Sequence, residues 1–191
     1  MTVPSVSESR RSINNPNKLA VIAALSWSFA LAQNAPDKLA PYFPTPLSIV
    51  EQMLKLGGLK AGEKMFDLGS GDGRIVIIAA QKFKAAATGV EFDEDLVKQS
   101  TARIKKLGLS DHALIIQGDI LAQDYSSADL LTVYLLSESN NKVRPILEKQ
   151  LKKGTRVVAH DFEFTGWTPV KVVDIDNDGE GRSHRLYLYV R

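Results

Sequence analysis

The stretch that decides the fold is Lys64-Met-Phe-Asp-Leu-Gly-Ser-Gly-Asp-Gly-Arg-Ile-Val-Ile-Ile-Ala-Ala80. Its first five residues have the length and apolar content of a short buried strand. Glycines at every second position of Gly69–Gly73 indicate a tight turn, because glycine adopts backbone conformations that are closed to other residues. The apolar run after the turn predicts a helix over Arg74–Phe83. A strand, a glycine turn and a helix in this order are typical of an open α/β sheet.

Apolar strands and helical patterns alternate through the rest of the chain. Further strands are predicted at Ala87–Glu91, Ala113–Gln117, Asp129–Tyr134, Thr155–His160, Val170–Ile175 and His184–Val190. Helices are predicted from the cap Thr45, with Pro46 at the first helical position, as far as Leu56, from the cap Asp93 to about Leu107, and over Asn140–Lys152 with a break at Pro145. Asp176-Asn-Asp-Gly179 is a hairpin signal, so one of the last two strands runs antiparallel. We therefore expect a doubly wound α/β sheet with helices on both faces.

The composition describes one soluble domain and excludes several kinds of site. The chain has 191 residues, of which 44% are apolar and 24% charged, a profile typical of a globular domain with its own core. It contains no cysteine, which excludes disulfides, cysteine-ligated zinc, iron–sulfur clusters and a cysteine nucleophile. The 24 basic and 22 acidic residues give a net charge of +2. Bulk charge therefore offers no argument for nucleic-acid binding.

The first 39 residues differ from the rest of the chain. A polar segment with Arg10, Arg11 and Lys18 precedes an uncharged apolar run, Leu19–Ala32, that ends in small residues. These are features of a signal peptide or a membrane anchor, although a helix of this length spans only about 21 Å. The expectation is a targeting or anchoring segment at 1–39 and an α/β domain at 40–191. Two alternatives remain for this segment: a hydrophobic helix packed on the domain, and organelle targeting. The domain is therefore expected either in the cytoplasm or in an anchored or exported form.

Acidic residues accompany three successive predicted strands: Asp67, Glu91 and Asp119. The carboxyl ends of parallel strands meet at one edge of the sheet, where ligands of such folds bind. Glu91 is placed to accept hydrogen bonds from both ribose hydroxyls, and Asp119 to receive an exocyclic amine. No Gly-Lys-Ser/Thr follows the turn, which excludes a triphosphate loop, and Arg74 stands where a dinucleotide fold has its third glycine. The expected ligand has a ribose, an adenine and a compact polar tail without a pyrophosphate.

Three stretches carry a family resemblance: Pro41–Pro46, Phe66–Ile77, and Val158–Phe164 with Gly166–Pro169. They resemble the seven-strand S-adenosylmethionine-dependent methyltransferases. Within these they resemble the subfamily of the archaeal broad-specificity protein-lysine methyltransferase and the mitochondrial lysine methyltransferases of the ATP synthase c-ring protein and the adenine nucleotide translocase. The similarity covers residues 40–191. It implies the strand order 3-2-1-4-5-7-6 with strand 7 antiparallel, and methyl transfer to the ε-amine of lysine in proteins.

The resemblance also implies a set of site residues. S-adenosylmethionine would be held by Thr45, Asp67, Gly69, Ser70, Gly71, Asp72, Glu91, Phe92, Asp119 and Ile120. Tyr134 and His160 are the catalytic candidates, Tyr42, Phe162 and Trp167 would line the substrate channel, and no metal is expected. An alternative for His160 is a hydrogen-bonded structural role. An alternative for Trp167 is packing over the sheet edge. Asp161 and Glu163 either attract a lysine-bearing segment or are simply solvated.

The chemistry and the competing functions can be weighed from the residues. A lysine acceptor needs no dedicated base, because desolvation and a nearby sulfonium both lower its pKa. Amino-methylation of adenine or glutamine typically needs Asn/Asp-Pro-Pro-Tyr/Phe after the fourth strand, where this chain has Val133-Tyr-Leu-Leu136. A small-molecule methyltransferase and a non-enzymatic cofactor-binding scaffold remain alternatives. The expected partner is a protein that presents lysine, without nucleic acid. We expect a monomer, with residues 19–32 as the route of any membrane association.

Overall fold

A computed structural model describes residues 1–2 and 42–191 of the chain. The chain divides into two units, Met1–Asp37 and Lys38–Arg191, and every element below lies in the second. The apolar run predicted as a targeting or anchoring element, Leu19–Ala32, lies outside the described residues. Within the described part of the chain, no helix has the length and apolar character needed to cross a bilayer.

The described residues form one seven-stranded sheet with helices on both faces. The strands are β1 (Lys64–Leu68), β2 (Ala86–Glu91), β3 (Ala113–Gln117), β4 (Leu130–Val133), β5 (Arg156–His160), β6 (Lys171–Ile175) and β7 (His184–Val190). The helices are α1 (Leu47–Leu56), α2 (Arg74–Phe83), α3 (Glu94–Lys106) and α4 (Ser137–Gln150), with a 3-10 turn at Ile120–Ala122. The strand order is β3-β2-β1-β4-β5-β7-β6, and β7 runs antiparallel to β5 and β6. The predicted fold class, strand order and antiparallel seventh strand are confirmed.

Two helix predictions were wrong in detail. Pro46, not Thr45, occupies the cap position of α1, and no side chain caps this helix. The hydroxyl of Thr45 instead lies against His160. Helix α4 begins three residues earlier than predicted and continues through Pro145. Pro145 and Asn141, whose carbonyl loses its helical partner at a proline, are both exposed, so water can satisfy that carbonyl.

Each face of the sheet buries its own hydrophobic cluster. Successive side chains of a strand point to opposite faces. Thus Leu130 and Val158 pack with α1, α2 and α3, whereas Leu131 and Val157 pack with α4 on the other side. Because both faces are covered, the strands are held in a fixed register, and the carboxyl ends of the five parallel strands lie at one edge. That edge carries the candidate site.

Candidate cofactor and acceptor site

The glycine turn after β1 requires glycine at each of its three glycine positions. Their φ angles are 76°, 53° and 74°, in the region that other residues rarely adopt. Two successive amides of the turn, those of Gly69 and Ser70, donate to the carbonyl of Val90 at 3.0 Å, which ties the turn to β2. A Cβ on Gly71 would lie 2.7 Å from the ring of Tyr42. Tyr42, expected in the substrate channel, is therefore placed over the glycine turn.

The carboxylate of Glu91 is held in place by the backbone around it. Its Oε1 accepts from the amides of Phe92 and Asp93, both at 2.9 Å, and its Oε2 accepts from the amide of Gly71 at 2.7 Å. The residue is only 8% exposed. A carboxylate has about four acceptor positions, so one remains, on Oε2. Glu91 thus has room for one further donor, and receiving both ribose hydroxyls would require it to release a backbone amide.

Asp67 is a buried carboxyl group beneath the turn. The hydroxyl of Thr132, its neighbour on β4, donates to Asp67 Oδ1 at 2.7 Å. Burial, helped by the negative charges of Glu91 and Asp72, raises the pKa of Asp67 to about 7, against the lowering effect of the Thr132 hydrogen bond. Near neutral pH this group is therefore poised to lose its proton when a cationic ligand group approaches.

Asp72 is committed to an ion pair with Arg74. The Arg74 Nε and Nη2 atoms donate to the two Asp72 oxygens at 2.9 and 2.8 Å, and Nη1 donates to the carbonyl of Thr45 at 2.8 Å. Burial alone would raise the pKa of Asp72, but the hydrogen bonds and charge of Arg74 outweigh it and lower the pKa. The pair joins the glycine turn to the Pro-Thr-Pro segment. A direct cofactor contact of Asp72 stays a prediction.

The remaining cofactor candidates lie along the same edge. The buried hydroxyl of Ser70 packs against Gly89, where a Cβ would lie 2.5 Å from Oγ. Phe92 follows Glu91 and exposes its ring. Asp119 accepts from the amide of Leu121 at 2.8 Å, so its carboxylate starts the 3-10 turn that buries Ile120. These positions leave an aromatic ring, an apolar side chain and a carboxylate at the ends of β2 and β3, which fits an adenine.

Three of the predicted acceptor residues meet at the ends of β4 and β5. The Tyr134 ring lies over His160, with ring centroids 3.9 Å apart, and faces Phe162 at 6.2 Å. The Tyr134 hydroxyl donates to Asp161 Oδ2 at 3.3 Å. Burial raises the pKa of Tyr134, and the charge of Asp161 adds to this rise, so the phenol stays neutral. Arg182, which opposes this rise, also acts on Tyr134, so the group forms an aromatic wall with one carboxylate and one guanidinium beside it.

His160 is fully buried and hydrogen-bonded at both ring nitrogens. Its Nδ1 lies 3.4 Å from Thr45 Oγ1, and its Nε2 lies 2.8 Å from His184 Nδ1. The Nε2 of His184 in turn lies 3.1 Å from Asp178 Oδ2. Burial lowers the pKa of His160 to about 4, although Asp161 opposes this shift, so the ring is neutral at neutral pH. These contacts favour the hydrogen-bonded structural role of His160 over that of a base.

His160, Asp161 and His184 bring their donor atoms within 4.8 Å of one another, a grouping that the sequence did not suggest. The Asp161 Oδ2 atom lies 3.4 Å from His160 Nε2 and 3.5 Å from His184 Nδ1. Two ligands of a tetrahedral zinc ion, each at ~2.1 Å from the metal, lie about 3.4 Å apart. The 2.8 Å between the imidazole nitrogens is instead a hydrogen-bond distance. The two histidines are thus arranged as a hydrogen-bonded pair.

Trp167 lies in the cluster on the α4 face. Its ring stacks on Phe164 with centroids 4.7 Å apart, meets Tyr189 edge-on, and its Nε1 donates to Glu148 of α4 at 2.8 Å. These contacts match the alternative in which Trp167 covers the sheet. Its role in a substrate channel stays a prediction.

Several residues of the site were missed from the sequence. Thr132 was detectable, because a polar residue inside the apolar strand β4 needs a partner. Asn140 donates to the carbonyl of Phe162 at 2.9 Å and so fixes the segment after β5. Asp178 and His184 gave no local signal, because their partners lie on other strands.

Proteins of known family are similar to this chain. The model of the family described as the ANTKMT methyltransferase domain matches residues 67–171. A protein-lysine N-methyltransferase of Saccharolobus islandicus is 42% identical over 78% of this chain and 92% of its own length. The mouse adenine nucleotide translocase lysine N-methyltransferase is 32% identical over 78% of this chain, which spans 62% of that protein.

A solved structure extends this comparison to three dimensions. The RNA methyltransferase from Salinibacter ruber, in complex with S-adenosyl-L-homocysteine, is 41% identical with a TM-score of 0.73. The match covers 78% of this chain and 93% of that one. Together with the glycine turn and the carboxylates at the ends of β1, β2 and β3, these similarities establish that the chain belongs to the ANTKMT methyltransferase domain family and is an S-adenosylmethionine-dependent methyltransferase.

Proposed function

We propose that this chain transfers a methyl group from S-adenosylmethionine to the ε-amine of lysine in a protein. The observation that carries the proposal is the 42% identity with a protein-lysine N-methyltransferase over 92% of that protein. The similarity to the mouse adenine nucleotide translocase lysine N-methyltransferase supports the same acceptor.

The acceptor side of the site suits a long side chain that ends in an amine. S-adenosylmethionine, when bound, supplies a methyl group already activated by its sulfonium, so the protein mainly positions the acceptor and excludes water. Lysine attacks only as the neutral amine, although its ordinary pKa is about 10.4. The rings of Tyr134 and Phe162 would strip water from the amine and so lower its pKa. They also accommodate the ammonium form by cation–π contact.

Asp161 adds one negative charge to this aromatic wall. It has a φ of 58°, rare for a residue other than glycine, and such strain persists only where the surroundings hold it. Here Arg185 holds it, since the amide of Asp161 donates to the Arg185 carbonyl at 2.7 Å and Asp161 Oδ1 accepts from the Arg185 amide at 2.9 Å. The carboxylate is thereby aimed at the Tyr134 hydroxyl, where it would attract an incoming ammonium group.

The surface beside Asp161 is suited to a basic segment. A hollow of about 560 Å³ is lined by Asp161, Asp174 and Asp176 among others. Arg185, the positively charged residue that lines this hollow, is already paired with Asp174. The excess of negative charge at this rim would favour a lysine-bearing peptide over a polyanion.

RNA is the second candidate acceptor, because the similar Salinibacter ruber structure is named an RNA methyltransferase. The two candidates differ in charge as well as in the atom that is methylated. Basic surfaces bind the phosphate backbone, whereas the rim beside Asp161 is acidic. This observation favours the protein acceptor.

The deciding experiment supplies labelled S-adenosylmethionine together with a lysine-rich protein, the same protein with its lysines acetylated, and total RNA. We expect label on the unmodified protein only, located on lysine by mass spectrometry. The rate is expected to rise with pH from neutral to mildly alkaline conditions, because only the neutral amine attacks. Equal labelling of the acetylated protein, or label on RNA, would overturn the lysine assignment and leave the methyltransferase assignment intact.

A further inference from the structure

A buried chain of hydrogen bonds connects the loop between β6 and β7 to the Pro-Thr-Pro segment. It runs from Asp178 through His184 and His160 to Thr45, with successive donor–acceptor distances of 3.1, 2.8 and 3.4 Å. The side chains of Asp178, His184 and His160 are fully shielded from solvent, and Thr45 is 4% exposed. The polar side-chain atoms of this chain of hydrogen bonds are therefore shielded from bulk solvent.

We propose that Asp178 is a positioning residue that sets the direction of every hydrogen bond in this chain and thereby leaves the Thr45 oxygen free to accept a hydrogen bond from the cofactor. The inference rests on the proposed function only for the cofactor, S-adenosylmethionine, and is independent of the methyl acceptor.

The direction follows from the donors that each group has. A carboxylate can only accept, so His184 Nε2 must carry a hydrogen and donate to Asp178. In a neutral imidazole the other nitrogen is then an acceptor, so His184 Nδ1 accepts from His160 Nε2. By the same reasoning His160 Nδ1 is an acceptor, and the Thr45 hydroxyl donates to it. The pKa of Asp178 is lowered to about 2, first by its hydrogen bond with His184 and then by the amide of Glu180, which keeps it ionised.

Two charged groups stand beside the histidine pair. The Asp161 carboxylate lies 3.4 Å from His160 Nε2 and 3.5 Å from His184 Nδ1, next to the hydrogen that they share. Arg182, from the β6–β7 loop, acts on His160 in the opposite sense. Asp161 does not decide which nitrogen carries the shared hydrogen, because it lies at nearly equal distances from both. Asp178 is the group at the end of the chain that breaks this symmetry.

Thr45 lies where this direction affects the cofactor. Its carbonyl is bound by Arg74, which is paired with Asp72 of the glycine turn. The residue is therefore anchored between the turn and the end of β5. A hydroxyl that donates to His160 presents only lone pairs elsewhere, so it selects a donor such as the ammonium of the methionyl group over its carboxylate.

Replacing Asp178 by asparagine should reverse the chain without removing an atom from it. Asp178 Oδ1 accepts from the amides of Glu180 at 2.7 Å and Arg182 at 3.2 Å, which only a carbonyl oxygen can do. The side-chain amide of Asp178→Asn must therefore turn its NH₂ group toward His184. His184 Nε2 then becomes an acceptor, and each hydrogen bond as far as Thr45 changes direction.

The tautomers can be read directly by NMR on the full chain. The chain has only three histidines, and His112, which is exposed, serves as the reference. Long-range ¹H–¹⁵N correlations at pH 8 should show His160 and His184 with the hydrogen on Nε2. In Asp178→Asn both should carry it on Nδ1. Asp176→Asn, a change of the same charge at an exposed position of the same loop, should leave both tautomers unaltered.

Calorimetry then tests the link to the cofactor. We expect Asp178→Asn to weaken S-adenosylmethionine binding about tenfold, the loss typical of one hydrogen bond to a charged group. Thr45→Val should weaken it to a similar extent. Adding Asp178→Asn to Thr45→Val should have little further effect, because both changes act on the same contact.

Several outcomes would overturn the proposal. Three of them concern the wild-type protein: an Nδ1–H tautomer at His160, an imidazolium at His184, or zinc bound by the histidine pair. These three can be observed whether or not the variants fold. In the variants, the overturning outcomes are unchanged tautomers in Asp178→Asn or full additivity with Thr45→Val. If the wild-type protein shows the expected tautomers but does not methylate lysine-rich protein, the result counts against the lysine acceptor alone.

Discussion

At the scale of a single residue, Glu91 binds the amide of Gly71 and keeps one acceptor position open, which we propose the cofactor uses. We expect Glu91→Ala to weaken binding of S-adenosylmethionine and of its demethylated product by roughly 1–3 kcal/mol, because charge-assisted hydrogen bonds are lost. Isothermal calorimetry measures both. Glu94→Ala removes a carboxylate from an exposed pair with Lys98 and should leave both affinities unchanged. Tight binding of NAD without any response to S-adenosyl compounds would contradict the assigned site.

Asp67 should make stability depend on pH in an unusual direction. Its carboxyl group has a pKa near 3.9 when unfolded and about 7 in the folded protein. Its contribution to folding is therefore complete below pH 4 and is lost as the pH rises through 7, because only the folded state still holds the proton. The unfolding free energy of Asp67→Asn, relative to the wild type, should increase between pH 4 and pH 8. Urea denaturation at both pH values tests this, and a constant difference would contradict the raised pKa.

We propose that Tyr134 belongs to the acceptor side of the site; its ring packs on His160 and Phe162. Tyr134→Ala should therefore reduce the turnover number more than the affinity for S-adenosylmethionine. Tyr134→Phe keeps the ring contacts and loses only the hydrogen bond to Asp161, so it should retain more turnover than alanine. Steady-state kinetics and calorimetry on the same samples separate the two effects. An equal loss of cofactor affinity would place Tyr134 on the cofactor side instead.

At the scale of an element, the glycine turn combines backbone strain with a close contact. Gly71→Ala imposes a side chain at a φ of 53° and drives its Cβ to within 2.7 Å of the Tyr42 ring. Gly62→Ala imposes a comparable φ of 80° with nothing within 4 Å. Gly62→Ala should lose about 1–2 kcal/mol of stability in urea denaturation from backbone strain, and Gly71→Ala at least as much, because the Tyr42 ring must also move. Only Gly71→Ala should also lower the affinity for S-adenosylmethionine. If both variants bind the cofactor with equal affinity, Tyr42 and the turn do not form part of the site.

At the scale of the whole molecule, the described core runs from Ile49 to Tyr189 and forms both faces of the sheet. We propose that residues 1–39 are a targeting or anchoring segment. Removing them should leave methyl transfer to a soluble substrate largely intact and improve solubility, because an exposed apolar run promotes association. Circular dichroism, activity and sedimentation of the truncated chain provide the measurements. Loss of folding on truncation would show instead that the segment belongs to the core.

Local residue patterns were enough to establish the elements and the general position of the site. Strands β1, β3 and β7 and helix α2 have the predicted bounds, because each depends on apolar periodicity and on nearby glycines. The glycine turn and the carboxylates near the ends of β1, β2 and β3 were also readable, since the carboxyl ends of parallel strands share one edge.

Which side chains meet across the sheet was settled only by tertiary packing. Strand β7 inserts between β5 and β6, which brings His184 to His160 although 24 residues separate them. The same packing turned Thr45 from a predicted helix cap into a partner of His160, 115 residues away. Local residue patterns contain no information on such pairs, because polar side chains choose among partners according to the register and packing of distant strands.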